Sequence, residues 1–140
     1  MKKRSEQGFS IVEVLVVCAI IGIIASLAVP FLQKAIRAAE SGNTFATMRA
    51  MSSTQMSFYS QNNRFGRLTE INNIMSNSLG TPSGNQVNRG KFVLTMSPEA
   101  PTDPELRERY TVIARREVLG EDQIWQYEMT ESGEIRQILP

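Results

Sequence analysis

The strongest constraint on this chain is the run VLVVCAIIGIIASLAVPFLQ, 20 consecutive uncharged residues from Val14 to Gln33. As an α-helix rising ~1.5 Å per residue, that run measures about 30 Å, the thickness of a bilayer's hydrocarbon core. Upstream lies MKKRSEQG, with Lys2, Lys3 and Arg4 against the single acid Glu6. Basic residues on the short N-terminal side keep that end cytoplasmic and send the C-terminal bulk across the membrane. The remainder of a 140-residue chain suffices for one domain, not two full cores. With no histidine and one cysteine, histidine-dependent triads, Cys/His zinc sites and an intrachain disulfide are excluded. Fifteen basic against 14 acidic residues provide no global charge to attract nucleic acid, and no metal or cofactor signature is present.

The first thirty residues admit several readings. One is an uncleaved membrane anchor. Another is a secretory signal peptide with Ser26-Leu27-Ala28 as a small-x-small cleavage site, releasing a soluble binding module that starts at Val29. Neither explains Glu13, which interrupts FSIVEVLVV. A carboxylate in hydrocarbon costs about 2.5–3.5 kcal/mol on insertion scales, although near the cytoplasmic interface it can reach headgroups. A cut between Gly8 and Phe9 would create an α-amino group one helical turn from Glu13, and an adjacent copy could offer its own amine to this carboxylate.

The stretch GFSIVEVLVVCAIIGIIASLAVPFL resembles the prepilin signature of type IV pilins and type II secretion pseudopilins, over roughly the first fifty residues. The resemblance implies that residues 1–8 are a leader removed by a dedicated membrane peptidase that cuts after Gly8 and methylates Phe9. It implies that Glu13 assists subunit docking, and that the chain is a structural subunit without catalytic residues, metal or cofactor. Its partners would be copies of itself in a helical filament, the prepilin peptidase/methyltransferase and an inner-membrane assembly platform. The precursor would cross the inner membrane once, with a cytoplasmic N-terminus, and end in an extracellular pilus or a periplasmic pseudopilus. A type IV pilus subunit is the first expectation and a pseudopilin or minor pilin the second. The secreted binding module is the alternative of another class. The chain departs from many pilins in lacking a cysteine pair in its head, and from major pseudopilins in lacking an evident calcium-site signature.

Removing the leader leaves 12 basic and 13 acidic side chains, a near-neutral subunit suited to close packing. Cys18 follows Val17 rather than the small residue that lipidation requires, so it reads as a small membrane-facing hydrophobe. Within residues 9–33, Pro30 cannot donate to the Ser26 carbonyl, and Gly22 costs ~1 kcal/mol relative to alanine. Transmembrane helices tolerate both residues. By the resemblance, Gly22 and Pro30 bound a helix-breaking segment that unwinds in assembled filaments; the residues alone leave tolerance and use open.

Residues 34–62 read as the amphipathic half of the same helix. Leu32, Ile36 and Ala39 begin an apolar stripe that Phe45, Met48, Ser52, Met56 and Tyr59 continue, while Lys34, Arg37, Glu40 and Arg49 fall off it. Gly42-Asn43 is a soft spot where the helix can curve. A helix from Phe9 to Gln61 approaches ~80 Å, more than the rest of the chain can cover. Its first half must therefore be buried in lipid or in other copies.

Residues 63–90 read as a connecting loop holding one short helix on the spacing Leu68, Ile71, Met75, Leu79, with LGTPSGNQVNRG as loop. Over residues 91–140, alternation predicts strands at Lys91–Ser97, Arg109–Arg116 and Ile124–Thr130. A turn at Glu131–Glu134 and an edge strand over Glu134–Leu139 follow, while the prolines of PEAPTDPEL bar regular structure. Consecutive strands predict an antiparallel sheet whose apolar face lies on the C-terminal half of the helix. The expected fold is α+β and pilin-like, a long helical spine with a small meander. Arg115-Arg116 reads as a solvated strand edge rather than a DNA contact. Glu105, Glu108 and Glu117 lack the apolar surroundings of a catalytic pair. Phe9, Phe31, Phe45, Phe58 and Tyr59 read as packing anchors.

Overall fold

The computed structural model describes residues 8–116 and 124–139. A helix α1 (Ile11–Asn62) is followed by α2 (Leu68–Ile74), β1 (Thr81–Ser83), β2 (Gln86–Arg89) and β3 (Phe92–Met96). Then come α3 (Asp103–Glu108), β4 (Thr111–Arg116), β5 (Trp125–Thr130) and β6 (Ile135–Leu139). The six strands form one antiparallel sheet in sequential order, a meander, so the fold is α+β and pilin-like. The chain divides into two units between Ala39 and Glu40.

In the first unit α1 is continuous through Gly22 and Pro30. Its large apolar side chains, from Ile11 to Ile36, are exposed. Ser26 Oγ donates to the Ile23 carbonyl at 2.7 Å, a local bond in the turn that Pro30 leaves one amide donor short.

The second unit has its own core. Residues 44, 47, 48, 51 and 55 of α1 are buried, a helical 3–4 spacing. Against them pack Phe92, Leu94 and Met96 of β3, Val112 and Ala114 of β4, and Tyr127 and Met129 of β5, the alternate positions expected to face inward. Pairing Leu94 with Ala114 and Ala114 with Tyr127 sets a large side chain on either side of a small one. Phe45 meets Tyr127 at a centroid distance of 4.5 Å, and Tyr127 meets Phe92 at 5.9 Å. Two buried amides secure the connections. Gln55 donates to the Gly66 carbonyl at 2.8 Å and accepts from its N–H at 2.7 Å. The Asn72 amide accepts from Leu79 N–H and donates to the Gly80 carbonyl.

The structure departs from the sequence expectations in four places. First, the stretch LGTPSGNQVNRG is not all loop: it holds β1 and β2, joined by the two-residue turn Gly84-Asn85 with Gly84 at φ +61°. Second, the proline-rich stretch holds α3, because Pro104 sits in the first helical turn, where its missing N–H has no carbonyl to meet. Third, the buried stripe of α1 runs through Met51 and Gln55, leaving Met56 53% and Tyr59 37% exposed. The shift follows from Thr44, Thr47 and Gln55, polar residues buried with hydrogen bonds that an apolar pattern passes over. Fourth, β4 lies inside the sheet, and Arg116 is buried beside Glu40, with Nη2 to Oε2 at 3.3 Å, rather than solvated on an edge.

Candidate processing and assembly site

Gly8, Phe9 and Ser10 are exposed and precede the first turn of α1. Among the described residues, a Cβ built on Gly8 meets nothing within 4 Å. Phe9 is 87% exposed, and the peptide joining it to Gly8 belongs to no helix or strand. The leader residues 1–7, including Lys2, Lys3 and Arg4, lie outside the described residues.

The helix opens on a reciprocal cap. Ser10 Oγ accepts from Val12 N–H at 3.3 Å, and Glu13 Oε2 accepts from Ser10 N–H at 2.9 Å. The Ser10 carbonyl accepts the first helical bond, from Val14 N–H at 3.2 Å. Ser10 and Glu13 thus satisfy amides that a helix start leaves unpaired, and the carboxylate sits at the positive end of the helix dipole. The sequence reading assigns Glu13 no such local role, although S-x-x-E before an apolar run signals it. Oε1 of Glu13 takes no part in these bonds, and among the described residues it has no hydrogen-bond donor.

Gly8, Phe9 and Glu13 therefore fall within one helical turn and its approach, whereas Gly22 and Pro30 lie further along α1. Gly22 has nothing within 4 Å of an added Cβ, and the helix persists at both residues. Cys18 is exposed on the same helix.

Away from the N-terminus, several titratable groups hold structural contacts. Arg64 forms a two-nitrogen contact with Glu70, at 2.9 and 2.7 Å, and lies over the Phe58 ring at 5.2 Å. The hydrogen bond from Arg64 holds the Glu70 carboxyl below its usual range, against the opposing effect of burial and with help from the Arg67 N–H. Glu105 accepts from the N–H and the hydroxyl of Thr102, which lowers its pKa. Glu117 lies outside the described residues. Of the five aromatic anchors, Phe45, Phe58 and Tyr59 do pack, against Tyr127, Arg64 and Phe65, while Phe9 and Phe31 are exposed. Among the described residues no group of three or more His, Cys, Asp or Glu side chains is placed to hold a metal ion.

Residues 3–29 match the family model of the prokaryotic N-terminal methylation motif, the prepilin-type motif of type IV pilins and pseudopilins. Comparison with curated proteins and with solved structures gives no match. The motif supports a type IV pilin- or pseudopilin-like precursor, and together with the long apolar helix it fits a membrane-anchored one. They point to a structural subunit, and imply processing by a prepilin peptidase and assembly into a filament.

Proposed function

We propose that the chain is a structural subunit of a type IV pilus, cut between Gly8 and Phe9, methylated on Phe9 and polymerised through α1. The observation that carries this reading is the prepilin-type motif on a helix whose most apolar window is entirely unburied. Exposure of the Gly8–Phe9 peptide, outside any helix or strand, leaves it accessible to a peptidase. Among the described residues nothing lies within 4 Å of a Cβ added at Gly8, which fits a restriction imposed by the peptidase's own pocket.

Cleavage turns the Phe9 amide into a cationic amine. Glu13 Oε2 is engaged by its own helix start, and Oε1 is the atom that accepts the amine of a neighbouring subunit. Docking of that kind pairs a carboxylate that would otherwise be left in an apolar filament core. Burial of exposed side chains such as Val12, Leu15, Ile20, Ile24 and Leu27 drives the assembly. It is worth roughly 25 cal/mol per Å² where the surface leaves water, and where the surface leaves lipid the gain comes from closer dispersion packing. A head-to-tail interface that does not close propagates into a fibre. In this reading the precursor waits in the inner membrane with its N-terminus in the cytoplasm, where the peptidase and the assembly platform engage it, and the product is extracellular.

The test is a pair of variants expressed in cells. Glu13→Ala should be cut to the mature mass yet yield no filaments in sheared fractions. Replacing Gly8 with a bulky residue should leave full-length protein in the membrane. Normal filament yield from Glu13→Ala contradicts the docking role, and normal mature mass from the Gly8 variant contradicts the junction. Pseudopilins share the motif, so long filaments on the cell surface distinguish the pilus from the pseudopilus.

A further inference from the structure

Two charges bracket the uncharged run of α1: Glu13 on its N-terminal side and Lys34 on its C-terminal side, with 20 uncharged residues between them. At ~1.5 Å per residue their Cα atoms stand about 31 Å apart along the axis, and at ~100° per residue they lie within about 60° of the same face. That separation is the thickness of one hydrocarbon core.

The two charges differ in what they find within the chain. Glu13 is held by the Ser10 N–H at 2.9 Å. Lys34 is exposed, and no acid lies between it and Glu13. The next acid along α1, Glu40, is engaged elsewhere, 3.3 Å from Arg116 and 3.8 Å from Lys91. A lysine at the end of an apolar span extends its methylene stem along the hydrocarbon and sets its ammonium at the interface, where lipid phosphate is the abundant anion.

We propose that Lys34 is a lipid-phosphate ligand that fixes the insertion depth of α1 in the membrane-anchored precursor. The proposal rests on the membrane reading of α1 and adds a defined register to it. With Lys34 on headgroup phosphate at the far face, Glu13 stands at the cytoplasmic face, clear of the hydrocarbon. Sliding the helix in either direction buries one of the two charges. Entry into a filament then requires Lys34 to surrender its phosphate.

The test uses the full chain carrying Cys18→Ser, reconstituted with the head outward in phosphatidylcholine/phosphatidylglycerol vesicles. Single cysteines are introduced as Ile24→Cys or Ala35→Cys, and a membrane-impermeant maleimide is added outside. The expected result is labelling at position 35 and protection at position 24. Adding Lys34→Leu should shift the protected boundary toward Arg37, so that position 35 becomes protected, whereas Lys34→Arg should leave it labelled. In vesicles of digalactosyldiacylglycerol, whose headgroup carries no phosphate, the chain with native Lys34 should show a smaller shift in the same direction, read as slower labelling at position 35, because the ammonium loses its anion but keeps its cost of burial. Protection at position 24 with position 35 equally labelled in Lys34→Leu, or in the phosphate-free vesicles, overturns the role of Lys34 and spares the membrane reading. Labelling at position 24 with Lys34 in place overturns both.

Discussion

Leu27 and Leu94 are the same side chain in opposite circumstances. Leu27, in the first unit, is 63% exposed; Leu94, on β3, is fully buried among Met48, Val112 and their neighbours. The head buries most of its large apolar side chains in its own core, while the segment before Glu40 leaves its own exposed. Hydrophobicity in the two regions therefore has different consequences. In the head it stabilises a fold, and in the apolar helix it creates a demand for lipid or for other subunits.

That contrast is open to direct attack, beginning where the effect is largest. Leu94→Ala should destabilise the head by about 2–5 kcal/mol, read from denaturant unfolding of the full chain in detergent. Leu27→Ala, the same chemical change, should leave that transition within about 0.5 kcal/mol and act on membrane insertion and filament yield. Equal losses in the two variants would abolish the distinction.

Gln55→Leu comes next. It strips both partners from the buried Gly66 backbone at similar side-chain volume, and should cost about 1–3 kcal/mol in the same assay. A neutral result would mean that water replaces the amide there.

Glu70→Gln should have the smallest effect, below about 1 kcal/mol at neutral pH, because its pair with Arg64 is partly solvated. The folded state holds this carboxyl below its unfolded value, so its stabilisation is complete above about pH 4.3 and is lost as pH falls through the folded value. The unfolding midpoints of parent and variant should therefore converge as the medium is acidified below about pH 4. A gap that persists in acid would show that the residue acts through packing rather than charge.

The same contrast explains what can be read from the sequence. The alternation through Phe92-Leu94-Met96 and Tyr127-Met129 exposes β3 and β5 plainly, because one sheet face is buried. Strands β1 and β2 are too short to alternate, and among them only Val87 is buried; their signal is the Gly84-Asn85 turn. Helix α3 is hidden because a proline reads as a breaker until it is placed in a first turn. Arg116 and Gln55 are invisible to periodicity, since their partners, Glu40 and the Gly66 backbone, lie outside the helical or strand repeat that each belongs to. At the N-terminus, the roles proposed for Gly8, Phe9 and Glu13 come from a resemblance, whereas the Ser10–Glu13 cap is legible from helix chemistry alone.

The most direct test of the account is the intact mass and N-terminal sequence of the protein recovered from its native membrane or sheared fraction. The account predicts a chain that begins at N-methylated Phe9 and retains the whole of α1. A chain beginning at Val29 would contradict it, leaving a secreted domain stripped of the segment on which assembly depends.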